Sequence, residues 1–144
     1  MNDTLRQVRI LYGVFVMTWF LFVVAAKLFL PSSTEAANLP SLFPGVLGAF
    51  VVSEIGLSLF LRTRFITGAE AALRVNPEDQ SAIAKWRTGN LLSFCFAETV
   101  TLFGLVLKAL GFGWRVAAMF FAVGLLLLLL WAPRKTQNLP RGVR

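Results

Sequence analysis

Four apolar stretches, each near the length a helix needs to cross a bilayer, dominate this chain of 144 residues. A transmembrane helix requires roughly 20 consecutive apolar residues, because each adds about 1.5 Å against a hydrocarbon core of about 30 Å. The stretches fall at about 10–30, 44–61, 91–110 and 114–131. Pro31 ends the first and Pro133 follows the last, as suits a residue that cannot continue a helix. Too little chain is left over for a second unit. Residues 1–144 therefore read as one all-α integral membrane domain, with four transmembrane helices in an up-down bundle. Only 15% of the residues are charged and 57% are hydrophobic, whereas a soluble domain carries about 25% charged residues.

The first stretch has Arg6 and Arg9 ahead of it and "VVAA" near its end, the outline of a signal peptide. Its apolar run exceeds the roughly 7–15 residues of a signal core, so it reads as a retained span. The three residues "GFG" (111–113) are too few for anything but an antiparallel hairpin between spans three and four. Trp114 and Trp131 bracket span four and are expected as interface anchors, one at each surface.

The placement of charge sets the orientation. Arg6 and Arg9, then Arg62, Arg64, Arg74, Lys85 and Arg87, then Arg134, Lys135, Arg141 and Arg144 all belong to one side. Lys27, Lys108 and Arg115 fall toward the other, near span ends from which their stems reach the interface. By the positive-inside rule both termini and the loop at 62–88 are cytoplasmic. The net charge of +7 is thus an orientation signal, and nucleic acid is not expected as a partner. Short helices are expected in the cytoplasmic loop. "TGAE" (67–70) has the form of a capping box. "NPEDQSAIAKWR" (76–87) offers Asn76 as a cap and Pro77 at the first helical position, leading to a helix on the membrane surface or running straight into span three. Gly89-Asn90 marks a possible bend, and "PSSTEAANLPSLFP" (31–44) reads as a polar outer loop.

Two carboxylates break the apolar pattern. Glu54 lies eight residues from Arg62, about 12 Å along a helix, and Glu98 lies eleven from Arg87, about 16 Å. An ionised acid at mid-span costs about 2.5–3.5 kcal/mol even on the cheaper scales. Such a group takes up a proton or finds a partner, and two facing carboxyls would share a proton. Ser58 at i+4 from Glu54 and Thr101 at i+3 from Glu98 give each acid a hydroxyl on its own face. Gly45, Gly48, Ala49, Val52 and Gly56 form a small-residue stripe on the opposite face of span two, and Gly104 adds a small position on span three. Span two should therefore be an inner helix, or one that contacts a second protein or a second copy. Span four, with "GLLLLLL" (124–130), looks lipid-facing.

Several chemistries are disfavoured. The chain has no histidine and one cysteine, Cys95, expected to pack as a small hydrophobe. No metal site or cofactor is indicated. Ser53 and Ser58 have no nearby base, so no enzyme activity is expected. Thr18 is the one other polar mid-span candidate.

In "AETVTLFGLVL" (97–107), Glu98 is followed by Leu102, Phe103, Gly104, Leu105 and Val106. This resembles the carboxylate helix of the rotor-ring subunit (subunit c) of ATP synthases and vacuolar-type ATPases, where an acid precedes Ile or Leu, an aromatic, Gly, Leu and Val at the same spacing. The resemblance implies a proton- or sodium-binding role for Glu98. It is confined to one helix. Span two lacks the family's dense glycine repeat, the loop at 62–88 is long, and the termini lie on the opposite side. The longer segment "WRTGNLLSFCFAETVTLFGLVLKALG" (86–111) is similar to the third span of small uncharacterised bacterial four-span membrane proteins, which implies the bacterial inner (cytoplasmic) membrane and no particular activity. The expectation is a non-enzymatic accessory or structural subunit of a larger membrane assembly, its helices held together by the two carboxyls. The alternative is a proton- or cation-handling protein using Glu54 and Glu98.

Overall fold

The computed structural model describes residues 2–30, 40 and 42–133, with side chains from Arg6 onward. Most of the expected outer loop at 31–44, and the basic residues Arg134, Lys135, Arg141 and Arg144, lie outside the described residues. Helices α1 (Asn2–Leu28), α2 (Phe43–Arg62), α3 (Gly68–Val75), α4 (Gln80–Ala109) and α5 (Trp114–Leu130) follow in order, with a π-helical turn at Thr63–Thr67 and no strand among the described residues. Three helical stretches are long and apolar enough to cross a membrane: Arg6–Leu28, Phe43–Val75 and Gln80–Ala109. The apolar α5 has 17 residues, about 26 Å of helix.

Local chemistry explains the boundaries. Pro44 sits in the first turn of α2, where its missing N–H leaves no bond unmade. The Asp79 carboxylate caps α4, accepting from the Ser81 and Ala82 amides at 2.9 and 3.2 Å and from the Ser81 hydroxyl at 2.8 Å. Asn76 ends α3 instead of starting α4, in extended backbone with its side chain accepting from the Glu78 amide at 3.1 Å. Asp79 wins because it stands directly before the uninterrupted run of helix formers, while Pro77 and Glu78 form the turn. The capping box at 67–70 does not form. Thr67 is already helical and makes no capping bond, since the π turn delivers the chain to α3 without a break and leaves no free amides to cap. At the far end of α4, Gly111 adopts φ +85°. The Phe112 amide bonds to the Leu107 carbonyl at 3.0 Å and the Gly111 amide to that of Lys108 at 3.1 Å, a Schellman stop that reverses the chain into α5.

Helix α4 is the axis of the molecule, in contact with α1, α2, α3 and α5. Its tightest partner is α5, running antiparallel. A Cβ on Gly104 would lie 3.0 Å from the Ala117 carbonyl oxygen and 3.2 Å from the Phe121 ring. A Cβ on Gly124 would collide with the Thr101 hydroxyl and lie 3.1 Å from the Ala97 carbonyl oxygen. Helix α1 runs parallel to α4: Tyr12 and Phe15 tilt against Phe94 at 5.5 and 5.6 Å, and further along the Trp19 indole donates to the Phe121 carbonyl at 3.0 Å. Helix α2 runs antiparallel to α4, with Phe43 stacked on Phe112 at 6.1 Å at one end and Ile66 pressed on Gly89 at the other.

The structure decides or corrects four expectations. Span two is not an inner helix of this chain, because only Val51 and Ser58 of α2 are buried. Helix α5 is not lipid-facing all round: Gly124, Leu127 and Leu128 are buried and Leu126, Leu129 and Leu130 are exposed. Gly89 does not interrupt the helix. It lets Phe65 and Ile66 approach, a Cβ there falling 2.7 Å from the Ile66 side chain, and the helix continues through it. The second loop helix is the first part of α4 itself, so of the two forms expected from the sequence the continuous one is found.

Gly124→Ala should destabilise the fold by roughly 1–3 kcal/mol through overpacking. Adding Thr101→Ala should recover part of the loss, whereas Gly45→Ala, with open space around it, should be neutral. Unfolding in detergent, arranged as a double-mutant cycle, measures this coupling. The Ser81 hydroxyl, then the Ala82 and Ser81 amides, hold the Asp79 carboxyl below its ordinary value of 3.8. A lowered folded value means that the cap is complete above the ordinary value and is lost as pH falls through the lowered one. Asp79→Ala should abolish this acid dependence and speed hydrogen exchange at the first amides of α4 at neutral pH.

Candidate functional site

Buried polar groups are rare in this chain and concentrate on α4, where Asn90, Ser93, Glu98, Thr101 and Lys108 are all buried. Most are tied to their own helix. Asn90 donates to the Trp86 carbonyl at 2.9 Å, Ser93 to Gly89 at 2.9 Å and Thr101 to Ala97 at 3.1 Å. The same back-bonding holds Thr18 to Val14 at 3.0 Å and Ser53 to Ala49 at 3.1 Å. A hydroxyl bonded four residues back is neutralised without any partner helix, which makes these residues compatible with an apolar surround.

Glu98 is the exception. It is 7% exposed, and neither carboxyl oxygen has a hydrogen-bond partner among the described residues. The Thr101 hydroxyl, expected beside it, is committed to Ala97 and seated against Gly124. Ser58 is fully buried on α2 with its hydroxyl unpartnered, and Glu54, half-buried, has one buried oxygen without a partner. Among the described residues neither acid is bonded to the hydroxyl expected on its own face.

The helix register places the two acids relative to each other. Interpolating between the Phe43–Phe112 and Ile66–Gly89 contacts, Ser58 is level with Ala97 and Glu54 with Thr101, so Glu54 and Glu98 stand within about a turn in height. They do not share a face. Glu98 is nine residues from Gly89, about two and a half turns, and so points away from the side where Phe65 and Ile66 pack. It lies one turn beyond Phe94, on the edge of α4 that meets Tyr12 and Phe15 of α1. A facing, proton-sharing pair is not what this rotation produces.

The remaining expected positions divide. Gly104 is tightly packed, whereas Gly45, Gly48 and Gly56 have open space around them and Ala49 is exposed. The small-residue stripe of α2 thus faces outward. Trp114 is 41% exposed, but Trp131 is 4% exposed and belongs to the core with Trp86 and Val8, so it is no surface anchor. Cys95 is exposed on the surface of α4 instead of packing inside. Two contacts went unforeseen. The indole bond from Trp19 to a mid-helix carbonyl has no sequence signal, and Gly124 was masked by the leucines after it. No cluster of three His, Cys, Asp or Glu capable of holding a metal occurs among the described residues.

Replacing a buried group that makes no bond by an apolar one of similar size is nearly neutral or stabilising. Glu98→Leu should therefore be at least as stable as the native protein in detergent unfolding. A loss of about 1 kcal/mol or more would instead show that the carboxyl makes a bond. Comparison with known proteins gives no relative to set beside this geometry: no protein-family model, curated protein or solved structure matches the chain.

Proposed function

We propose that this chain is a non-enzymatic, multi-pass protein of the bacterial inner membrane, an accessory or structural subunit that joins a larger membrane assembly through α2. In this reading α5 is a fourth span, the spans run up and down, and both termini are cytoplasmic. The observation that carries it is the surface of α2. Its stripe at Gly45, Gly48 and Gly56 is open, and Val52 beside it is 71% exposed. In a bilayer, small residues favour helix association because backbones can approach closely, as α4 and α5 already do here. An open stripe of the same kind suits a further helix better than lipid.

The test is copurification from native membranes extracted with mild detergent. The wild-type chain should come out with other membrane subunits in fixed ratio, and Gly48→Leu together with Gly56→Leu should abolish the association while leaving the isolated chain folded. Recovery of the chain alone under conditions that keep other membrane complexes intact would overturn the reading. A second reading, proton or cation handling, draws support from Glu98 and its unpartnered oxygens. It expects liposomes containing the protein to dissipate a pH gradient, with the flux lost in Glu98→Gln and reduced in Glu54→Gln.

A further inference from the structure

The register that places the acids also places the cations. Tyr12 and Phe15 meet Phe94 on the parallel helix α4, so Arg9, about one turn before Tyr12, is level with Leu91, and Arg6 a turn further out is level with Arg87 and Thr88. Ile66 meets Gly89 across an antiparallel pairing, which puts Arg64 level with Leu91 as well. Arg6, Arg9, Arg64 and Arg87 thus come from three different segments into one layer about 6 Å thick along the bundle axis. All four side chains are exposed, and none is ion-paired to a carboxylate among the described residues.

A thinner cationic layer lies at the other end. Ala26 clusters with Ala117, so Lys27 stands at the height of Arg115, beside the end of α4 that bears Lys108. From Leu91 to Lys108 is about 26 Å of helix, close to the roughly 30 Å of a hydrocarbon core. Between the two layers the acidic and basic residues among those described are Glu54, Glu98 and, about 3 Å inside the arginine rim, Arg62. The chain therefore marks out a slab of bilayer thickness, with four arginines at one rim and Lys85 about 3 Å further out.

We infer that the rim formed by Arg6, Arg9, Arg64 and Arg87 binds the phosphate headgroups of anionic phospholipids. The chemistry is particular to arginine. A guanidinium offers a planar fork of donors that grips a phosphate in a bidentate manner, and it tolerates partial desolvation better than an ammonium does. The location selects the source of the phosphate. The four guanidinium stems rise from the edge of the apolar slab, where a phosphodiester anchored by its acyl chains is held at the matching height, and basic residues there are attracted to anionic lipid. The carboxylates described at this end, with side chains from Arg6 onward, do not compete. Asp79 is taken up by its cap, and Glu70 and Glu78 lie on α3 and in the turn beyond the rim. The inference rests on the chain being embedded in a membrane.

The protein is placed in nanodiscs of phosphatidylcholine with a minor fraction of phosphatidylglycerol, and retained lipid is identified by native mass spectrometry. Phosphatidylglycerol should be retained in preference, and each of Arg9→Gln, Arg64→Gln and Arg87→Gln should weaken that preference roughly fivefold. The triple variant should lose it. The corresponding Arg→Lys triple, which keeps the charge and the fold but not the fork, should fall between. Equal retention of the two lipids, or undiminished preference in the glutamine or lysine triple, overturns the proposal. Displacement of the lipid by inorganic phosphate overturns it in favour of a soluble anion. Release of the chain from native membranes by alkaline carbonate, without detergent, would instead fault the membrane reading on which it rests.

Discussion

The close approach of α4 to α5 at Gly104 and Gly124 is the contact from which the rest of the structure follows. Inside a bilayer there is no hydrophobic driving force to press one apolar helix on another, so association depends on how closely backbones can come. Gly124 admits the Thr101 hydroxyl and the Ala97 carbonyl to its surface, and Gly104 admits the Ala117 carbonyl. The resulting pair presents a groove into which α1 settles, with Phe94 under Tyr12 and Phe15 and the Trp19 indole reaching across to α5. Helix α2 joins this core from one side, pinned chiefly at its ends by Phe43 and Ile66.

The stretches that would become helices were plain in the sequence, as was the antiparallel turn at "GFG", because length and the glycine-bearing turn are strong constraints. Sidedness was harder to see. Along a soluble helix the buried face stands out against polar neighbours, but within "GLLLLLL" every side chain is apolar and no contrast marks which face is covered. Gly124 could have been recognised as a packing position only by noticing that a small residue opens the run. For α2 the sequence leaves two readings open, an inner helix or one that contacts a second protein, because a small-residue stripe suits either; its glycines face open space among the described residues. Between α2 and α4, local motifs compete. Asn76 and Thr67 both have the right chemistry to cap a helix, but the chain reaches Thr67 already helical and leaves Asn76 in a turn.

The burial of Glu98 was legible from its surroundings; its isolation was not. The hydroxyl residues nearby were natural partners on paper, yet Thr101 bonds to its own helix, as Ser93 does. This is the ordinary behaviour of a short hydroxyl side chain when the carbonyl one turn back is the nearest acceptor. Glu98 is thus packed in the bundle with no hydrogen bond to its carboxyl among the described residues.

The wide turn at Thr63–Thr67 has a mechanical meaning. Along α2 the covered positions Val51 and Ser58 repeat at seven, and the next covered residue is Ile66, one later than the repeat would put it. The π turn takes up that one residue, and Ala69 and Leu73 then continue the covered face in step. The segment is a phase corrector between two rigid rods. Shortening it by a single residue would relax it to ordinary helix with both rods still facing inward, whereas the same deletion within α3 would rotate Leu73 out into solvent.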